Sequence, residues 1–175
     1  MSQRSYGYRQ QAAVPGGLFD TSPHSIVARS NEEPTLGAVK FGMGVVQGTA
    51  PGANIKLPTE ASASALFEGV VTTGIKSMDL QGVSAIGETD TLGILEWGKV
   101  WVRLASGIAS VAYGDRLYLV VSGDDAGKFS NSAIDAIAVN GKFIGGIESG
   151  DIAPVRLFNQ DATLADHETR ITALG

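Results

Sequence analysis

Apolar and polar residues alternate along short stretches of the chain, and glycine, proline and asparagine separate those stretches. In GILEWGKVWVRLA (93–105), Val100, Val102 and Leu104 share one face of an extended strand, and Lys99, Trp101 and Arg103 share the other. The same reading predicts strands over 37–46, 65–73, 92–104, 107–113, 116–122, 134–139, 142–148 and 152–158. Pro51-Gly52 fits a type II turn, and Asn140-Gly141 fits a type I′ hairpin turn between two of these strands. Short strands without intervening helical patterns predict an all-β fold, a small β-barrel or a sandwich.

Within the β region a phrase recurs. AVKFGMGVV (38–46) and SVAYGDRLY (110–118) share Val39, Phe41, Gly42 and Val111, Tyr113, Gly114. About thirty residues later each is followed by Phe, one residue and Gly: Phe67-Glu68-Gly69 and Phe143-Ile144-Gly145. This predicts two similar β-units, set at equivalent corners of one barrel. Gly42 and the pair Gly114-Asp115 are then fold corners, where one strand turns into the next.

The flanks differ in character, which predicts three parts. Residues 1–35 form an extended N-terminal arm rich in Gln, Ser, Arg, Pro and Gly. Its first nineteen residues hold Arg4, Tyr6, Tyr8 and Arg9 and no acid, and extend on the order of 60 Å when fully stretched. Two readings are open, a disordered terminus or an arm that orders on a neighbouring subunit with these Tyr and Arg side chains as candidate contact residues. Residues 36–158 form the β domain. Residues 159–175 form a short helical tail in which Leu164, His167, Ile171 and Leu174 fall at heptad a and d spacing. Arg170-Ile171 and Leu174 also match the Arg-led pattern of short trimeric coiled coils, although Gly175 stands where that pattern has Glu. A helix this short needs a partner, so Leu164, His167, Arg170, Ile171 and Leu174 are the oligomerisation candidates.

Composition narrows the function. Glycine supplies 23 of 175 residues, about twice its usual share, as many tight turns require. The chain has no cysteine, which excludes disulfides and Cys-based zinc sites. No signal peptide and no membrane-spanning run is legible, so the expected site of synthesis and assembly is a cytoplasm. A formal charge of −5 disfavours nucleic acid as the main partner.

Candidate chemistry is sparse. The two histidines, His24 and His167, lie in opposite terminal regions, and HETRI (167–171) has Ile171 where a zinc-protease motif needs its second His. SGDDAGKF (122–129) has Ser122 and Phe129 where a phosphate loop needs Gly and Ser or Thr. Glu88, Asp90 and Glu96 have no spacing that selects a catalytic pair, and no serine motif is present. No enzyme, cofactor or metal is expected. Trp97 and Trp101 stand four residues apart on one strand, an alternative platform for a sugar.

Certain residues carry a resemblance. VAYGDRLYLVVSGDDAGKFSNS, followed by KFIGGIESGDIAPVRLF, is similar to the C-terminal half of bacteriophage capsid decoration proteins, also called cement proteins. The matching pieces are Val111, Gly114, Asp115, Leu117 and Tyr118, then Gly127-Lys128-Phe129, Ile144-Gly145 and Val155-Arg156-Leu157. The resemblance covers roughly 36–158 and implies a β-barrel or jelly-roll-like domain without an active site. It further implies a partner, the major capsid protein, whose neighbouring subunits such proteins bridge on the outer face of an assembled shell. Self-association as a homotrimer, with a dimer as the alternative, would fit the tail. The rival reading is the head domain of a phage fibre or spike that binds host glycans through Trp97 and Trp101.

Overall fold

A computed structural model describes residues 14–74 and 85–159. They form nine strands: β1 Ser25–Asn31, β2 Gly44–Gln47, β3 Asn54–Lys56, β4 Phe67–Val71, β5 Thr91–Arg103, β6 Arg116–Val120, β7 Phe129–Ser130, β8 Ala136–Phe143 and β9 Ile152–Leu157. Two single 3-10 turns, Ser64–Leu66 and Gly123–Asp125, are the only helical elements among the described residues.

Five strands close on themselves. Their order is β1-β3-β2-β4-β5, and β5 pairs back onto β1, which leaves this first barrel without a free edge. β5 then serves a second time. Its later half pairs with β9, and the order continues β9-β8-β6-β7. Leu104, just past β5, forms a parallel bridge to Phe129 of β7, and the Ala105 amide donates to the Phe129 carbonyl at 2.9 Å. A second five-strand ring is thereby closed against the first.

The two rings have the same topology. β1, β2, β3, β4 and the first half of β5 correspond to the second half of β5, β6, β7, β8 and β9. In each ring one antiparallel residue sits between two partners: Ile94 faces Val27 and Val71, and Val155 faces Val100 and Phe143. The parallel closure repeats too, as Asn31–Ile55 and Leu104–Phe129. Backbone hydrogen bonds repeat at matched positions. Gly42 donates to the Val71 carbonyl at 2.8 Å and Gly114 to that of Phe143 at 2.9 Å. Val71 and Phe143 donate in turn to Met43 and Asp115, and Met43 and Asp115 donate to Lys40 and Ala112. Asn31 and Leu104 donate to Asp90 and Asp151.

The recurring phrase in the sequence is therefore a structural duplication. It differs from expectation in two ways. The copies lie in separate rings, not at two corners of one, and the counterpart of Phe143 is Val71, not Phe67. Gly and aromatic residues are frequent in strands, so spacing alone does not fix register; the amide pairs do.

β5 can be shared because its residues face two cores. Ile94 belongs to a cluster with Val39, Val45, Ile55, Val71, Ile86 and Leu92 in the first barrel. Leu95, the next residue, belongs to a cluster with Val100, Val102, Leu117, Leu119, Phe129, Phe143 and Val155 of the second. Val45/Val46 and Val70/Val71 divide in the same way, and Phe67 meets Phe129 edge-on at 6.3 Å across the join. Strands covered on both sides read as unbroken apolar pairs instead of alternating ones.

Several strand predictions shift for identifiable reasons. Residues 37–43 and 107–113 are turns and loops, with only Gly44–Gln47 and Arg116–Val120 extended. The left-handed glycines Gly37, Gly42, Gly107 and Gly114 stop the earlier residues from continuing a ladder. Asn140-Gly141 is not a hairpin turn but part of the single strand β8. A Cβ on Gly141 would lie 2.7 Å from the Arg156 carbonyl, so this glycine serves close strand approach. Pro51-Gly52 is a turn as expected, with Gly52 at φ +74°. Ser25–Asn31, placed by sequence within the arm, is a barrel strand. The predicted tail helix lies outside the described residues.

The corner glycines give a stability test. Both are left-handed, at φ +82° for Gly42 and +95° for Gly114, so alanine at either costs about 1–2 kcal/mol in backbone strain. A Cβ at Gly42 would also lie 2.8 Å from Pro15 and 2.9 Å from the Gly16 amide, whereas nothing lies within 4 Å at Gly114. Gly42→Ala should lower the urea midpoint clearly more than Gly114→Ala. Equal shifts would mean that the packing around Gly42 yields freely.

Candidate functional site

No compact catalytic constellation forms among the described residues, and no group of three or more His, Asp or Glu is placed to hold a metal. The features that remain are surfaces, and one segment organises them. Residues 15–20 run as a strap along β5 where the two barrels meet. Gly16 donates to the Trp101 carbonyl at 2.7 Å, Trp101 donates back to Gly17 at 3.0 Å, and Phe19 donates to Lys99 at 3.1 Å. Thr73 fixes the other side through its amide to Gly16 and its hydroxyl to Pro15, at 2.9 and 2.7 Å. Only glycine fits at position 16, because a Cβ there would lie 2.7 Å from the Val71 carbonyl.

The strap ends in a side-chain clasp. Phe19 lies against Trp101 with ring centroids 5.5 Å apart. Asp20 accepts from the Lys99 ammonium at 2.6 Å and from the amide and hydroxyl of Ser22. The Lys99 hydrogen bond, then those of Ser22, lower the Asp20 pKa from 3.8 to about 2.

The sequence-predicted residues are distributed as follows. Arg4, Tyr6, Tyr8 and Arg9, and Leu164, His167, Arg170, Ile171 and Leu174, lie outside the described residues. The strap nevertheless fixes the root of the arm: Val14 leaves from the seam between the barrels. Gly42 and Gly114 occupy equivalent turns before β2 and β6. Asp115 pins its turn by accepting from the Ala112 amide at 2.9 Å and from Asn131 at 3.2 Å, and these bonds lower its pKa. Trp97 and Trp101 do not present two bare rings, since Phe19 occupies Trp101. Trp97, 37% exposed, lines a groove of about 370 Å³ with Pro23, Lys99, Arg156 and Phe158.

Two polar features were not legible in sequence. In the first barrel Arg29 sits between Glu68 and Glu96, with nitrogen–oxygen distances of 3.5 and 3.7 Å, and its Nε is buried without a hydrogen bond. The matching position in the second barrel is Val102. A hollow of about 640 Å³ opens on the second barrel beside loops 105–110, 122–125 and 130–135. Burial pushes the Asp125 pKa up there, but bonds from Lys128 and Ser106 outweigh it and leave it lowered. The clasp of Phe19 and Asp20 was also missed; its one sequence signal is that Asp20 is the first acid after an acid-free arm.

The described residues form two fused β-barrels on a common strand, with residues 15–20 strapped along their join. The model of the family described as structural cement protein (E217 gp24/Pam3 gp6) matches residues 2–158, and the chain belongs to this family of phage cement proteins. Comparison with curated proteins gives no match. A chain in the solved structure of the capsid of Myoviridae phage XM1 shares the fold, with a TM-score of 0.65 at 17% identity. That similarity covers 89% of this chain and 98% of the other. The family implies a non-enzymatic role in the capsid, in association with capsid protein.

The clasp predicts a pH response. Because Asp20 has a lowered pKa in the folded protein, its contribution is complete above pH 3.8 and is lost as the pH falls towards about 2. In a Trp97→Phe background, Trp101 emission should change over that window as Phe19 lifts away. Asp20→Asn should show the low-pH emission already at pH 7. An emission that is flat across the window would mean that Phe19 stays in place without the ion pair.

Proposed function

We propose that this protein binds the outer surface of an assembled phage shell and bridges neighbouring major capsid protein subunits, so that the shell resists dissociation. The family match over residues 2–158 carries this reading. The strap supports it physically. It fixes the arm's root at the seam while thirteen residues with Arg4, Tyr6, Tyr8 and Arg9 precede Val14. Those thirteen residues reach on the order of 45 Å when extended, enough to cross onto an adjacent subunit.

Binding to the intact shell and not to its separated subunits stabilises the shell by mass action. The tail adds self-association in this reading, as a trimer through Leu164, His167, Arg170, Ile171 and Leu174, with a dimer as the alternative. Joined copies gain avidity of roughly 10²–10⁴ over one site when the geometry lets all engage. Assembly takes place in the bacterial host cytoplasm, and the mature protein lies on the virion exterior.

Sedimentation with shells that lack the protein tests this. Saturation at a fixed ratio, with shells that then withstand heat or low salt, is the expected result; no co-sedimentation would sink it. Removing residues 1–13 should weaken shell binding on the order of tenfold or more, with the barrels still folded because the strap is retained. Unchanged occupancy would take the arm out of the contact. The double change Ile171→Asp and Leu174→Asp should dissociate an oligomer held by the tail, read by analytical ultracentrifugation. An oligomer that survives it is held by the barrels.

A further inference from the structure

A shell is built from many copies of one subunit, so a chain that joins two neighbours by like contacts needs two like surfaces. The duplicated barrels supply a pair. In each, a turn leads into the ring's last strand: Gly87–Asp90 before β5 and Glu148–Asp151 before β9. The preceding isoleucine is held against the core in both, Ile86 in the first cluster and Ile147 against the second. The carbonyls of Asp90 and Asp151 receive matched amides, from Asn31 at 2.9 Å and Leu104 at 2.8 Å. The residue before each Asp is left-handed, Thr89 at φ +68° and Gly150 at +94°. Each turn exposes one glutamate followed by one hydroxyl side chain, Glu88-Thr89 in the first and, one position earlier in the turn, Glu148-Ser149 in the second. The phrases IGETD and IESGD are a second trace of the duplication in the sequence.

The turns are far apart. One opens β5; the other opens β9, whose Ile152 pairs with Arg103 at the opposite end of β5. Thirteen residues of β5 at ~3.3 Å each put up to about 40 Å between them. β9 runs antiparallel to β5, so the second turn is also reversed in direction relative to the first. Two like contacts, reversed and separated by the length of a strand, suit two like subunits that face one another across a seam.

We propose that the two barrels are two equivalent half-sites, each offering its Glu-hydroxyl turn to the same basic patch on one of two neighbouring shell subunits. This rests on the cement reading and gives it a stoichiometry: one chain per two shell subunits. The chain would bridge through its own duplication, whatever its oligomeric state.

The experiment measures occupancy of shells lacking the protein by the full chain and by Glu88→Lys, Glu148→Lys and the double variant. Both sites are exposed, and thermal melting checks that each variant is folded. Each single change should raise the half-saturation concentration by a similar factor, about tenfold, and the double change should raise it further. Saturation should stop at one chain per two shell subunits. An effect from only one of the two turns, no effect from either, or saturation at one chain per subunit would overturn the half-site assignment while the cement reading stands. Failure of the unaltered chain to bind shells would remove both.

Discussion

The whole molecule depends on one strand that belongs to two barrels. β5 closes the first ring against β1 and opens the second against β9, and its side chains must satisfy an apolar core on each side. Ile94 and Leu95 are adjacent residues that face different interiors. Neither ring could be removed without stripping the cover from Val46, Phe67, Val70 and Leu95, so the two barrels are expected to unfold as one unit. Fusion through a common strand also removes the free sheet edges that two separate small sheets would present.

The seam between the rings is set by close backbone approach as well as by side-chain packing. Gly16, Gly42, Gly44 and Gly127 lie where a Cβ would meet backbone or core atoms at 2.5–2.9 Å. Gly44 donates to Gly127, and Arg103 donates its amide to Gly42 and its Nε to Phe41. The high glycine content therefore does more than provide turns. Part of it lets two barrels and the strap approach closely enough to share hydrogen bonds. The same approach determines where the chain N-terminal to the strap meets the body.

Cementing asks for little chemistry. The polar groups of this protein hold shape: Asp20 clasps the strap, Asp115 pins a corner and Asp125 ties a loop to Lys128. The duplication keeps its backbone hydrogen bonds at matched positions. Arg29 against Val102 shows that even an inward position can change its chemistry when neighbouring Glu68 and Glu96 are at hand. The first barrel also spaces Val71 and Asp90 by nineteen residues, where eight separate Phe143 and Asp151. The two rings are thus related but not interchangeable.

The sequence by itself determined the β class, the family and the presence of a repeat. Each is carried by local signals: two-residue alternation in β5, glycines at left-handed turns, and the short phrases around Val111–Tyr118 and Val155–Leu157. It also set the limits on chemistry, since two distant histidines and no cysteine are facts of composition. Only the tertiary structure decided that the repeat makes two rings with a common strand, that Val71 is the counterpart of Phe143, and that Asn140-Gly141 continues a strand instead of turning it. Those depend on which amide meets which carbonyl between residues far apart in the chain. A period-two pattern reports which face is apolar, but not which of two cores that face covers, nor which strand lies alongside.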